Sequence, residues 1–135
     1  MYEYHGWATL RETYLNEDIV EEKFEEMVAD IKAKIIETGA DNGLLDLRAV
    51  NGEYQLHLSG LLNHKGRRAE EIFQLYEFIA KTAKGSYGLL YILDDEDENG
   101  KDNEFQVYIM ARGKVIMRAD PFLSPLIPTV ENSAE

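Results

Sequence analysis

The pair Asn51–Gly52 restricts the fold of this chain more than any other two residues. Asn followed by Gly takes the positive φ angles of a type I′ turn most readily, and that turn joins two antiparallel strands through two residues. The flanks agree. In residues 53–59, Tyr54, Leu56 and Leu58 alternate with Gln55, His57 and Ser59, so one face of this strand is buried and the other wet. Residues 44–50 supply the other arm. A hairpin near mid-chain follows, and what flanks it decides the topology.

Each flank reads as a helix. In residues 17–38 the apolar positions Val20, Phe24, Met27, Val28, Ile31 and Ile35 recur at steps of three and four, with Asn16 as the expected N-cap and Gly39 as the stop. The acidic first turn suits the positive end of the helix dipole. In residues 67–83, Ala69, Ile72, Phe73, Tyr76, Ile79, Ala80 and Ala83 form a second stripe, ended by Gly85. Residues 2–11, with Tyr2, Tyr4, Trp7 and Thr9, read as a strand, and Trp7 counts there as a core aromatic rather than a binding platform. Residues 86–93 and 105–111 are two more strands joined by an acidic loop, and the "RGK" at 112–114 turns the chain into a short strand near 115–117.

The order is β-α-β-β-α-β-β, with room for one further β. Its first six elements match the split βαβ plan, so the expected class is α+β: a mostly antiparallel sheet, two helices on one face, ferredoxin-like topology. At 135 residues the chain fits one domain, 1–135, with a core large enough to need no disulfide, and it contains no cysteine. All three prolines fall in the tail at 120–135, where Phe122, Leu123, Leu126 and Ile127 are too apolar for a free linker and are expected to pack on the body.

Charge narrows the function. The formal net charge is −12, which repels phosphate backbones and anionic lipid, so neither nucleic acid nor membrane is an expected partner. Residues 17–30 hold Glu17, Asp18, Glu21, Glu22, Glu25, Glu26 and Asp30 against Lys23, a net of −6. Residues 94–104 hold Asp94, Asp95, Glu96, Asp97, Glu98, Asp102 and Glu104 against Lys101, another −6. The rest of the chain is neutral, so the whole imbalance lies in two surface segments. No apolar run approaches membrane-spanning length and the start "MYEYHGWATLRE" has no signal-peptide pattern, so the expected location is the cytoplasm.

No catalytic constellation emerges. Asp95, Asp97, Asn99 and Gly100 fit the first half of a calcium loop, but the eighth position is Asp102 and the twelfth is the neutral Gln106, and strands flank the loop instead of helices. His5, His57 and His64 show no metal-ligand spacing. Ser59 before Gly60 has no nucleophile elbow around it, and "GSYG" at 85–88 follows a helix where a phosphate loop would precede one. The residues therefore point to a binding protein without catalytic, cofactor or metal sites. An acidic calcium-binding or regulatory module remains the alternative.

The segments "YHGWATLRE", "NGLLDLRAVNGEYQLHLSGLLNHK", "GSYGLLYILDDEDENGKDNEFQVYIMARGKV" and "DPFLSPLIPTVE" resemble the immunity protein 7 family of bacterial polymorphic toxin systems. The resemblance spans almost the whole chain and implies a non-enzymatic α+β protein that neutralises a cognate secreted or contact-delivered toxin domain in the cytosol. A nuclease toxin, with its basic groove, would suit an acidic inhibitor. The resemblance brings no binding residues with it. The charge pattern makes Asp94, Asp95, Glu96, Asp97, Glu98, Asp102 and Glu104 the first candidates for toxin contact, and Glu17, Asp18, Glu21 and Glu22 the second.

Overall fold

The mid-chain turn forms with φ of 51° at Asn51 and 85° at Gly52, the left-handed region in which Gly meets no Cβ penalty. It joins β2 (Leu44–Val50) to β3 (Glu53–Leu62), with Val50 opposite Glu53. The computed structural model of the chain describes residues 1–15, 20–39 and 43–134. A second turn of the same kind, with φ of 53° at Arg112 and 77° at Gly113, joins β5 (Gln106–Ala111) to β6 (Lys114–Ala119). With β1 (Tyr2–Thr9) and β4 (Tyr87–Asp94) these strands form one six-stranded sheet in the order β2-β3-β1-β4-β5-β6. Every neighbouring pair is antiparallel. The first four positions are the ferredoxin-like split βαβ order, and the last hairpin widens the sheet.

Helices α1 (Glu21–Thr38) and α2 (Arg67–Thr82) cover one face. Toward them β1 turns Tyr2, Tyr4 and Ala8, which share a core with Met27, Val28 and Ile31 of α1 and with Ile72, Leu75, Tyr76 and Ile79 of α2. Each fully buried Leu or Ile in that cluster contributes about 1.5–3 kcal/mol. Tyr76 crosses to the sheet, and its hydroxyl donates to the Leu89 carbonyl at 2.9 Å. Arg68 donates to the carbonyls of Thr38 and Gly39, so a cation in the first turn of α2 closes the C-terminus of α1.

Three expectations need correction. Trp7 is not core: side chains alternate along a strand, so Trp7 points away from Tyr4 and Ala8, onto the helix-free face, where it is 39% exposed. Helix α1 begins at Glu21, with the extended Val20 as an N-cap that makes no side-chain bond, and not at residue 17. The expected cap at Asn16 and the expected first turn at Glu17 and Asp18 lie outside the described residues. The tail docks, but not by burying its apolar residues. Phe122 is 75% exposed, Leu123 and Ile127 are exposed, and only Leu126 is half-buried.

Polar groups hold the tail instead. Asp120 is buried, and its carboxylate accepts from the Phe122 and Leu123 backbone N–H groups at 2.9 Å and from the Ser124 hydroxyl at 3.0 Å. Ser124 Oγ in turn accepts from the Phe105 N–H at 2.8 Å, just before β5. Burial pushes the Asp120 carboxyl up, but these three donors outweigh it and hold it below its ordinary value. The short helix α3 (Leu126–Thr129) follows. No helix among the described residues is long and apolar enough to cross a membrane.

Candidate functional site

The acidic loop, residues 95–105, leaves β4 at the sheet end where β1 begins. Tyr2 pairs with Asp94, and the Asp95 N–H reaches the Met1 carbonyl at 3.2 Å. Turns shape it. Asp94 Oδ1 accepts the Glu96 N–H at 3.1 Å, and Asp97 Oδ2 accepts the N–H groups of Asn99 and Lys101 at 2.9 and 3.0 Å. Such side-chain-to-backbone bonds fix a loop that has no ladder of its own.

Neighbours brace the loop from two sides. On one, the Met1 amino group lies 2.7 Å from Asp95 and 3.5 Å from Glu96, and His64 Nδ1 lies 2.6 Å from Glu96. The His64 hydrogen bond is the main reason that the Glu96 carboxyl sits below its ordinary value. The Met1 amine is raised in turn, chiefly by its bond to Asp95. On the other side Asn103 grips the tail. Its carbonyl accepts the Leu126 N–H at 2.9 Å, its Oδ1 accepts the Ile127 N–H at 3.0 Å, and its Nδ2 donates to the Ile127 carbonyl at 3.1 Å.

The first candidates are thus together, at the end of β4 and on the loop that follows it. Asp95, Glu96, Glu98 and Asp102 are exposed, while Asp94, Asp97 and Glu104 are half-buried, the last 3.3 Å from Lys101. Oxygens of Asp94, Asp95 and Glu96 lie within 4.8 Å of one another, whereas Asp97, central to the calcium-loop pattern, is engaged with the loop backbone. The second candidates are elsewhere. Glu21 and Glu22 form the exposed first turn of α1, beyond the opposite end of β1; Glu17 and Asp18 lie outside the described residues.

Three features escaped the sequence reading. His64 stands 32 residues from Glu96, with nothing local to mark the pairing. Asn103 reads as one more turn residue. The third is the helix-free face, where Trp7 and Tyr87 meet edge to face with ring centroids 6.1 Å apart, 39% and 42% exposed. Strand alternation was its available signal.

A family model described as Immunity protein 7 matches residues 1–132, essentially the whole chain. No curated protein and no solved structure is similar enough to match.

Proposed function

This chain belongs to the Immunity protein 7 family, whose members are immunity proteins of toxin systems, and from that premise we propose that it neutralises its cognate toxin domain by binding it in the cytosol through the acidic loop. One observation carries this reading: the seven carboxylates from Asp94 to Glu104 are gathered at the end of β4 and on a loop braced by His64, Asn103 and its own turns. A charged surface that is already ordered loses little entropy on binding and attracts an oppositely charged partner over a distance. Steering of this kind lifts association from about 10⁵–10⁶ toward 10⁸–10⁹ M⁻¹s⁻¹ at low salt. The partner is a basic protein surface, and a nuclease groove fits best, because carboxylates can occupy the places of substrate phosphates. The protein acts by occupying that surface, without chemistry of its own.

Stopped-flow association with the toxin domain at two salt concentrations tests the assignment. Changing Asp94, Asp95, Asp97 and Glu98 to Asn or Gln should slow association and flatten its salt dependence, whereas the same changes at Glu17, Asp18, Glu21 and Glu22 should do less. A larger loss from the helix set refutes the loop. Equal small losses favour a second reading, to which the exposed Trp7–Tyr87 pair on the helix-free face points. A melting temperature that rises with calcium would favour the regulatory calcium module instead.

A further inference from the structure

Beneath the acidic loop lies a cavity of about 420 Å³, open to solvent between the loop, the start of α2 and strands β1, β4 and β5. Its apolar walls include Tyr2, Phe73, Ile92 and Tyr108. The rings of Phe73 and Tyr108 stand 4.8 Å apart between centroids, inclined at 45°. The polar lining differs: Asp97 and Glu70 bring carboxylates against one cation, Lys65. Asp97 is held in place, because both backbone donors bond its Oδ2, while Oδ1 has no hydrogen bond among the described residues. The walls also feel negative charge. Burial raises the phenols of Tyr2 and Tyr108, and the carboxylates Asp94 and Glu77 respectively raise them further.

We propose that this cavity receives one arginine side chain of the toxin, its guanidinium against the Asp97 carboxylate and stacked on the aromatic wall of Phe73 and Tyr108. The inference rests on the binding reading above and gives that site its chemistry. An anion would face two carboxylates, and a purely apolar group would strip water from Asp97 without replacing its hydrogen bonds. A guanidinium satisfies both halves of the lining: it is planar, weakly hydrated, stacks on aromatic faces and presents paired N–H donors to a carboxylate. An ammonium meets the charge but not the stacking.

The first experiment needs no toxin. Nuclear magnetic resonance titration of the intact protein with N-acetylarginine amide should give saturable shifts at Ile92, Phe73 and Tyr108. N-acetylcitrulline amide, nearly the same shape without the charge, should bind roughly tenfold more weakly, the scale of one charge-assisted hydrogen bond. Asp97→Asn keeps an oxygen for the loop backbone yet removes the charge, and should weaken arginine binding to the same degree. Asp30→Asn, an equal charge change on the exposed side of α1, should not. Lys65→Gln should tighten it. Shifts that do not saturate, equal binding of citrulline, or equal effects of Asp97→Asn and Asp30→Asn overturn the proposal.

The second experiment links the cavity to the partner. Tyr108→Leu carries no charge change, so it should leave salt-dependent association with the toxin domain intact while speeding dissociation roughly tenfold. Melting curves confirm that the variant is folded. If dissociation is unchanged although arginine amide binds, the toxin does not use the cavity and the proposal fails while loop steering stands. If the parent protein binds no toxin domain, the binding reading fails first, and the proposal with it.

Discussion

Asp120 holds the start of the tail, while Asn103 holds its end, and replacing Asp120 separates a polar anchor from an apolar one. Its carboxylate accepts three hydrogen bonds, from the N–H groups of Phe122 and Leu123 and the hydroxyl of Ser124, and Ser124 passes the connection to Phe105. Hydrogen bonds to a charged group are each worth about 1.5–3 kcal/mol, and three on one group are not additive. Asp120→Asn keeps one side-chain oxygen and offers an amide where Ser124 or a backbone N–H needs an acceptor, so a loss of about 1–2 kcal/mol is expected. Asp120→Ala removes every acceptor and should cost roughly twice that. For a domain of this size Tm should fall by about 3–10 °C for the Asn variant. The pH dependence has a definite sign. The folded carboxyl lies below its ordinary value, so its contribution is present above the unfolded pKa, about 3.9, and fades as pH falls through the folded value. Guanidinium melts at pH 7 and pH 3 would show it: the gap between parent and Asn variant should be narrower at pH 3 than at pH 7. A gap under about 0.5 kcal/mol at pH 7, or one that widens in acid, would refute the anchor.

Phe122→Ser should leave stability within about 0.5 kcal/mol of the parent by denaturant melts, since that ring is 75% exposed; a larger loss would restore the apolar account of the tail. Gly88→Ala should cost about 3 kcal/mol, because a Cβ there would stand 2.1 Å from the Trp7 carbonyl oxygen, whereas Gly52→Ala, in open space but at φ 85°, should cost only about 1 kcal/mol. His64→Ala should move the Glu96 titration upward, toward an ordinary glutamate, in a carboxyl-detected NMR titration. An unmoved Glu96 would mean that the contact does not persist in solution.

The helices and strands were legible because their signals are periodic and repeat along the chain. Asn51–Gly52 announces a turn locally, and the α2 stripe from Ala69 to Ala83 needs no knowledge of what it packs on. The position of Trp7 was present in the same alternation, since Tyr2, Tyr4 and Ala8 share one parity and Trp7 has the other. It becomes readable only once both helices are known to lie on one face, because until then an aromatic on either parity passes for core. The tail misled for a different reason. Its apolar residues suggested burial, but it is held by Asp120, Ser124 and Asn103, single polar residues used once, and a bond made once leaves no period to detect. The loop combines both cases: its charge was plain, its order was not. That Asp97 turns into a cavity depends on the N–H groups of Asn99 and Lys101, and that Glu96 is braced depends on a histidine from another connection.

The same contacts separate the carboxylates that shape the loop from those free for a partner. Asp94, Asp95, Glu96, Asp97 and Glu104 each have a bond or ion pair within the protein, but Glu98 and Asp102 have none among the described residues. Seven like charges on one loop repel one another at close range, a cost that the anchors through Asn103 would not require. The fold therefore gives no reason for Glu98 and Asp102 to be acidic. Within the binding reading they are the carboxylates free to meet a basic surface first, ahead of any side chain that enters the cavity at Asp97.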